Sequence, residues 1–224
     1  IEWRHLLQCF ETPRRVSPTS FKYRADSAVS RTLERGFAWL RFEAPLEQEY
    51  QQVHGTSIQP RVRLALLLAF CTVLGFGFLD RLLLGEPWNL PDDVLRFGLQ
   101  LPLVLLGLWF ASARNYARWY APAIQVGAPV FGVVAAVMAA YGPDAASVAL
   151  GTARLVLSTF FIYFMLGMSF FAALRTNALV FAAFAIASMS LSMAPPVVIY
   201  NLFVLFCANL FAGAGSYALE HATR

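Results

Sequence analysis

Charged residues, cysteine and histidine are all scarce in this sequence of 224 residues. Only 13% of the residues are charged and 58% are hydrophobic, whereas each helix of a water-soluble bundle needs a polar face toward the solvent. The three cysteines are too few and too scattered for a disulfide framework, so we expect free thiols. The three histidines lie outside the apolar segments, which excludes the usual axial ligation of a haem within a helical bundle.

Catalytic signatures are also missing from the sequence. We find no glycine-rich phosphate loop, no suitably spaced pair of carboxylates, no His or Cys cluster for a metal and no nucleophile elbow. We therefore expect this segment itself not to be catalytic, to hold no cofactor or metal, and to bind no nucleic acid.

Six long apolar runs are present instead, and each is about long enough to cross a hydrocarbon core at ~1.5 Å per helical residue. They lie approximately at 62–84, 94–113, 119–141, 146–166, 176–193 and 197–217. The sequence therefore predicts an all-α, polytopic membrane protein with a six-helix transmembrane domain over 62–217. The basic segment 1–61 precedes it, and 218–224 is expected to begin a cytoplasmic signalling helix.

The basic residues predict the orientation, because Lys and Arg beside a span resist translocation. With the loops assigned alternately, 14 of the 17 basic residues fall on the side of the two termini. Both termini are therefore expected to face the cytoplasm, and the resemblance described below implies that the membrane is a bacterial inner membrane. The segment 1–61 contains a stretch over 27–42 that is predicted to form an amphipathic helix, lying either on the membrane or on cytoplasmic protein.

Arg154 is the clearest candidate for a special role, because an arginine within a span costs several kcal/mol unless it reaches water or a partner. One interpretation is that it extends to the headgroups and only fixes the depth of its helix. The other is that it pairs with an acid near the outer half of the membrane, with Asp80 favoured over Asp92 or Asp93, and takes part in ligand binding. A structure decides between them.

Several polar side chains accompany Arg154 at or inside the spans. Amides there usually serve interhelical hydrogen bonding at ~1 kcal/mol each. The alternative is a polar patch in the outward half of the bundle, which would bind a lipid headgroup or a quinone-like ring. The candidate ligand-binding residues are Arg154, Arg96, Asp80, Gln100, Gln125, Tyr200 and Asn201.

The sixth apolar run carries small residues at four-residue intervals, a pattern that permits close helix approach. The partner is either the same helix of a second subunit or a neighbour in one bundle. No Gly or Pro stops the helix after Tyr217, so we expect it to continue into the cytoplasm. In the first case the chain forms a parallel homodimer, with an interface at Ala208, Ala212, Gly215, Ser216 and Leu219.

From Pro45 onward the chain resembles the six-helix membrane region of bacterial membrane-anchored nucleotide cyclases, both class III adenylate or guanylate cyclases and GGDEF-type diguanylate cyclases. The matching residues are Leu46-Glu47 with Tyr50, Leu79-Asp80, Leu95-Arg96-Phe97 with Pro102, Asn201-Leu202-Phe203, Ala208-Asn209-Leu210, and Tyr217-Ala218-Leu219-Glu220 with Arg224. One junction departs from the family pattern, since Ala173-Leu174-Arg175-Thr176 keeps the basic residue of a Leu-Arg-Phe motif but loses its aromatic residue.

The resemblance implies a sensory or regulatory domain that passes a membrane or small-ligand signal through its last helix to a cyclase domain after Arg224. Its partners would then be the lipid bilayer, a second copy of the chain and a small or lipophilic ligand. Two alternatives remain: a small transporter or channel, with Arg154 and the amides along its path, and a purely structural anchor.

Overall fold

The computed structural model describes residues 44–84, 90–113, 116–141, 145–191 and 193–223. The chain divides into two units, 1–46 and 47–224, and only the last three residues of the first unit are described. The amphipathic helix predicted over 27–42 lies outside the described residues. All regular elements within the described ranges are helical.

Six helices, α1 to α6, follow one another along the described part of the chain. They are α1 (Ala44–Leu84), α2 (Leu90–Asp93, Val94–Gln100 and Leu101–Ala111), α3 (Tyr116–Ala140), α4 (Ala145–Phe160 and Phe161–Met165), α5 (Phe170–Ser190) and α6 (Pro195–Thr223). Each contains a stretch that is long and apolar enough to cross a membrane. The prediction of an all-α chain with six such helices is therefore confirmed for these residues, and it indicates a multi-pass membrane protein.

Two predicted boundaries differ from the structure. Helix α1 continues through Pro60 rather than beginning at residue 62, although proline removes one backbone hydrogen bond. Helix α5 begins at Phe170 rather than near 176. The prediction placed Arg175 in a loop because it is charged, but its side chain lies exposed on the first turns of α5, where its Nε donates to the carbonyl of Phe171 at 3.3 Å.

Two of the helices contain a π-helical segment. In α2 this segment is Val94–Gln100, and the N–H of Leu101 donates to the carbonyl of Arg96, five residues earlier. Pro102 explains the wide turn, because it lacks an N–H and its ring crowds the carbonyl of Gly98. The second segment, Phe161–Met165, forms the last turn of α4. Such segments are rare and often mark functional sites.

The main core lies between α3, α4, α5 and α6, and the most extensive helix contact joins α3 to α5. Small residues bring these helices together. A Cβ atom on Gly151 would lie 2.8 Å from the backbone of Ala139, so α3 and α4 nearly touch there. Leu155, Ile162 and Phe184 fill the interior and are completely buried. This part of the bundle is held by close packing.

The neighbouring helices alternate in direction, which gives the bundle two distinct ends. We call the end at which α1 stops and α2 begins the Asp80 end, and the opposite end, at which α5 begins and α6 stops, the Glu220 end. A second, smaller core joins α1, α2 and α3 toward the Glu220 end, with Val62, Ala111 and Tyr116 at its centre.

Candidate functional site: an ionic cluster beside a cavity

Three helices bring their charged side chains together at the Asp80 end. Asp80 on α1 is only 6% exposed. Its Oδ2 accepts a hydrogen bond from Nη1 of Arg96 on α2 at 2.9 Å, and its Oδ1 accepts one from Nη2 of Arg154 on α4. The predicted pair between Arg154 and Asp80 is thus confirmed. One carboxylate holds two guanidinium groups from different helices.

Two further acids complete this ionic cluster, which we define as Asp80, Arg81, Asp92, Asp93, Arg96 and Arg154. Nη2 of Arg96 binds Oδ2 of Asp92 at 2.9 Å, across one turn of the same helix, and Arg81 binds Asp93. Three carboxylates balance three guanidinium groups. A buried charge is tolerated when it is paired and hydrogen-bonded, so the balance explains how Arg96, at 4% exposure, can lie between helices.

The π-helical segment of α2 contains both Arg96 and Gln100. They are four residues apart and both are buried, and both line the cavity between α1, α2, α3 and α4. The four-residue spacing of Asp92 and Arg96 then allows their pair to form within the helix. Pro102 and the Asp92–Arg96 spacing were the sequence signals for this geometry, although neither was used to predict it.

Aromatic rings complete the packing of two arginines. The guanidinium carbon of Arg154 lies 5.0 Å from the centroid of the Phe76 ring, and that of Arg81 lies 5.4 Å from the ring of Phe97. Each ring presents its negative face to a cation, an interaction worth roughly 0.5–2 kcal/mol. Arg154 is therefore fixed by an acid and a ring together.

Asp92 lies just before the membrane-crossing stretch of α2, which begins at Val94. Burial raises the pKa of its carboxyl above the usual 3.8, although the charges of Arg96 and Arg154 lower it. Removal of this carboxyl from water thus outweighs the attraction of the arginines.

A cavity of about 510 Å³ lies against the ionic cluster, between α1, α2, α3 and α4. Asp92, Arg96 and Arg154 form part of its wall, and Gln100 lies beside them. The remaining wall is almost entirely apolar, with phenylalanines from three helices. This volume is typical of sites for small molecules, which combine apolar walls with a few polar groups.

A second cavity of about 550 Å³ lies toward the Glu220 end, between α1, α2, α3 and the end of α4. Trp109 and Trp119 line it together with other apolar residues. Ala69 on α1 lines both cavities, so much of the inward face of α1 borders open space.

The structure separates the other predicted ligand-binding residues from the cluster. Gln125 and Tyr200 lie exposed on the outside of the bundle, because the helical repeat turns Ala128 on α3 and Leu205 on α6 inward instead. Asn201 is buried, but its Nδ2 donates within its own helix to the carbonyl of Val197 at 2.8 Å. The predicted patch thus consists of Asp80, Arg96, Gln100 and Arg154, and its role in ligand binding stays a prediction.

The small residues of α6 pack inside the single chain. Ala208, Ala212 and Ser216 are buried in the bundle, and a Cβ on Gly215 would approach the ring of Phe164 on α4 at 2.9 Å. Of the predicted interface residues, Leu219 is exposed. The stripe therefore corresponds to packing within one bundle, and dimerisation stays a prediction.

At the Glu220 end, the last turns of α6 dock on the start of α5. Oε2 of Glu220 accepts a hydrogen bond from the backbone N–H of Phe170 at 2.5 Å. The Phe170 ring lies edge-on to Tyr217, with centroids 5.5 Å apart. Glu220 thus satisfies one free N–H at the positive end of α5, where Ser169 provides no side-chain cap. Sequence reasoning missed this contact, because its partners are fifty residues apart.

Two arginines and one glutamine of α1 cap other helix ends nearby. Nε of Arg63 and Nε2 of Gln59 each donate to the carbonyl of Ala111 at 2.8 Å, and Arg61 donates to the carbonyl of Phe164. Cations are favourable at the negative end of a helix, and here they attach α1 to the ends of α2 and α4.

The described residues contain no group of three or more His, Cys, Asp or Glu side chains arranged to hold a metal ion. Cys71 and Cys207 are free thiols, as expected. Comparison with protein-family models, with curated proteins and with solved structures finds no match to this chain.

Proposed function

We propose that this chain is the regulatory membrane domain of a bacterial nucleotide cyclase. Both termini face the cytoplasm, and the last helix conveys the state of the bundle to a catalytic domain after Arg224. The resemblance from Pro45 onward supports the cyclase, and the charge distribution supports the orientation. The single observation that carries a signalling role is the docking of α6 on α5 through Glu220.

The docking supports this role because it fixes the position of the helix that would leave the membrane. Tyr217 and Glu220 both contact Phe170, so the exit turns of α6 are attached to a neighbouring helix at two points. A shift of α5 or α4 would therefore move these turns. Helix shifts of ~1–2 Å are an established means of switching.

Helix α4 supplies a physical connection between the two ends of the bundle. It carries Arg154 in the ionic cluster and ends in the π-helical segment Phe161–Met165. Within that segment, Phe164 approaches Gly215, and the Tyr163 hydroxyl would lie 3.6 Å from a Cβ on Gly213. A rearrangement of the ionic cluster would thus reach α6 through packed side chains of one helix, which makes α4 the element to test.

The turn after α4 also couples α4 to α5. Gly167 has φ of +65°, a left-handed backbone conformation that ends the helix and that residues other than glycine rarely adopt. A Cβ there would also lie 2.9 Å from Ile58 on α1. The turn connects α4 tightly to α5, so movement of one is transmitted to the other.

The experiment uses the natural full-length protein that contains this chain, expressed in a strain without its own cyclases. We expect cAMP, cGMP or cyclic di-GMP to accumulate. Glu220→Ala should change the amount several-fold, because it releases α6 from α5. Glu220→Gln should change the amount less, because its amide oxygen can still accept the hydrogen bond from the Phe170 N–H. Ala218→Gln, at an exposed position on the same helix, is the matched control. A full-length product that makes none of the three nucleotides would refute the cyclase assignment.

We also propose a parallel homodimer that places two α6 helices side by side, now through their exposed exit residues rather than through the buried small stripe. Leu219 and Ala222 are exposed on α6. Cysteine at either position, with native cysteines replaced, should form a disulfide between subunits under mild oxidation. Cross-linking on another helix and at neither of these positions would move the interface elsewhere.

The orientation is tested by reporter fusions. A fusion after His221 should report the cytoplasm and one in the 85–89 connection the opposite compartment. The same compartment at both sites would contradict the proposed topology.

A further inference from the structure

The wall of the cavity beside the ionic cluster includes a polar side chain that the cluster does not use. Gln100 is buried, at 6% exposure, and lines the cavity, and its side chain takes no part in the hydrogen bonds that hold the ionic cluster. An amide in this position offers both N–H donors and a carbonyl acceptor to a molecule in the cavity.

The charges of the neighbouring wall restrict what that molecule can be. Arg96 binds Asp80 and Asp92, and Arg154 binds Asp80, so the two cavity-lining arginines already have carboxylate partners. The cluster is neutral as a whole, because three carboxylates balance three guanidinium groups, so an anionic or cationic head would lose its water without gaining an unbalanced counter-charge. A neutral head that hydrogen-bonds to Gln100 disturbs neither pair.

The other walls determine the rest of the molecule. Phe76, Phe131 and Phe161 face the cavity from α1, α3 and α4, and they suit a ring or a hydrocarbon chain. The volume of about 510 Å³ is sufficient for a ring with a chain of moderate length.

The cavity also has an apolar rim. Four of its lining residues are exposed on the outside of α1 and α4: Leu68, Thr72, Leu157 and Phe160. A gap between two membrane-crossing helices opens to the hydrocarbon, so a molecule dissolved in the bilayer reaches the cavity sideways.

We propose that this cavity binds a neutral, lipid-soluble molecule whose head carries a carbonyl or hydroxyl oxygen, as in a quinone or a long-chain ketone, with that oxygen bonded to the Gln100 amide. The inference deepens the proposed regulatory function, on which it rests for the consequence of binding. The binding itself is independent of any catalytic domain.

The test measures saturable binding to the chain in lipid nanodiscs, with empty discs subtracted. The probes are decylubiquinone, which is neutral and has carbonyl oxygens, decylbenzene, which lacks them, and decanoate, which is anionic at pH 8. We expect one decylubiquinone per chain, with decylbenzene and decanoate each about tenfold weaker or more, because decylbenzene cannot bond to the Gln100 amide and decanoate brings a charge that the neutral cluster does not balance.

Matched variants locate the site. Gln100→Met should weaken decylubiquinone binding about tenfold, whereas Gln125→Met, at an exposed position, should leave it unchanged. Thr72→Trp fills the rim from an exposed position and should abolish binding even if Gln100→Met folds poorly. Ala123→Trp, which fills the second cavity instead, should have no effect.

Several results would overturn the inference. These are decanoate binding more tightly than decylubiquinone, loss of binding in Ala123→Trp but not in Thr72→Trp, and no saturable binding of any probe. Saturable binding without any change in cyclic nucleotide output of the full-length protein would instead refute the regulatory role of the cavity and leave the site itself established.

Discussion

The first two helices and the last four are held together in different ways. Helix α1 is attached by charged contacts, through Asp80 and Arg81 at one end and Arg61 and Arg63 at the other, together with the smaller core around Val62, and two cavities lie along it. Helices α3 to α6 are held by small residues and filled interior space. A small set of ion pairs can switch together from one arrangement to another, whereas close packing of many side chains resists any displacement of the helices.

This difference assigns separate tasks to the two parts of the bundle. The closely packed helices form a frame that keeps the exit helix α6 in place. In the proposed function, the ionic cluster between α1, α2 and α4 is the part that a ligand in the adjacent cavity would alter, and α4 belongs to both parts. Each prediction below tests one side of this comparison.

The largest effect on stability is expected at Asp80, the centre of the ionic cluster. Asp80→Asn leaves Arg154 without its carboxylate and should lower the free energy of unfolding by about 3–5 kcal/mol, as measured for buried charges that lose a partner. Thermal unfolding in detergent, followed by loss of helical signal, measures the change.

A double variant separates the charge from the space it occupies. Asp80→Asn with Arg154→Met removes one acid and one base and keeps the Arg96–Asp92 pair, so it should be clearly more stable than Asp80→Asn alone. If the two variants unfold at the same temperature, the charge balance is not what holds α1 in place.

A somewhat smaller effect is expected in the frame. Gly151→Ala introduces a Cβ at 2.8 Å from the backbone of Ala139 and should destabilise by about 1–3 kcal/mol, because two helix backbones must separate. Gly127→Ala is the control, since nothing lies within 4 Å of its added Cβ, and it should be neutral or stabilising. Equal destabilisation by both changes would contradict close packing as the basis of the frame.

The smallest effect concerns pH. Because burial raises the pKa of Asp92 in the folded protein, protonation of this carboxyl favours folding. Its contribution is therefore lost as the pH rises from the usual value of 3.8 through the higher folded value. The unfolding temperature of the natural chain should fall slightly over this window relative to Asp92→Asn. A rise relative to Asp92→Asn would show that the pair with Arg96 dominates instead.

The sequence predicted the six helices because apolar length is a local property that needs no tertiary information. It also predicted the Arg154–Asp80 pair, because a charge inside a span must find a partner and few acids lie at that depth. It could not place Gln125 and Tyr200, since the composition of a span does not reveal which face turns inward. The Glu220–Phe170 bond was beyond reach for another reason, because nothing local in either residue indicates a partner fifty positions away.

The measurement that tests the account most directly is hydrogen exchange at the start of α5, compared between the natural chain and Asp80→Asn/Arg154→Met. If the ionic cluster acts on α6 through α4, the amide of Phe170, which is bonded to Glu220, should exchange several-fold faster in the double variant. Peptides from the middle of α3 should be unchanged. Unchanged exchange at Phe170 in this variant, which lacks the Arg154–Asp80 pair, would show that the two ends of the bundle are not coupled and would contradict the proposed path of the signal.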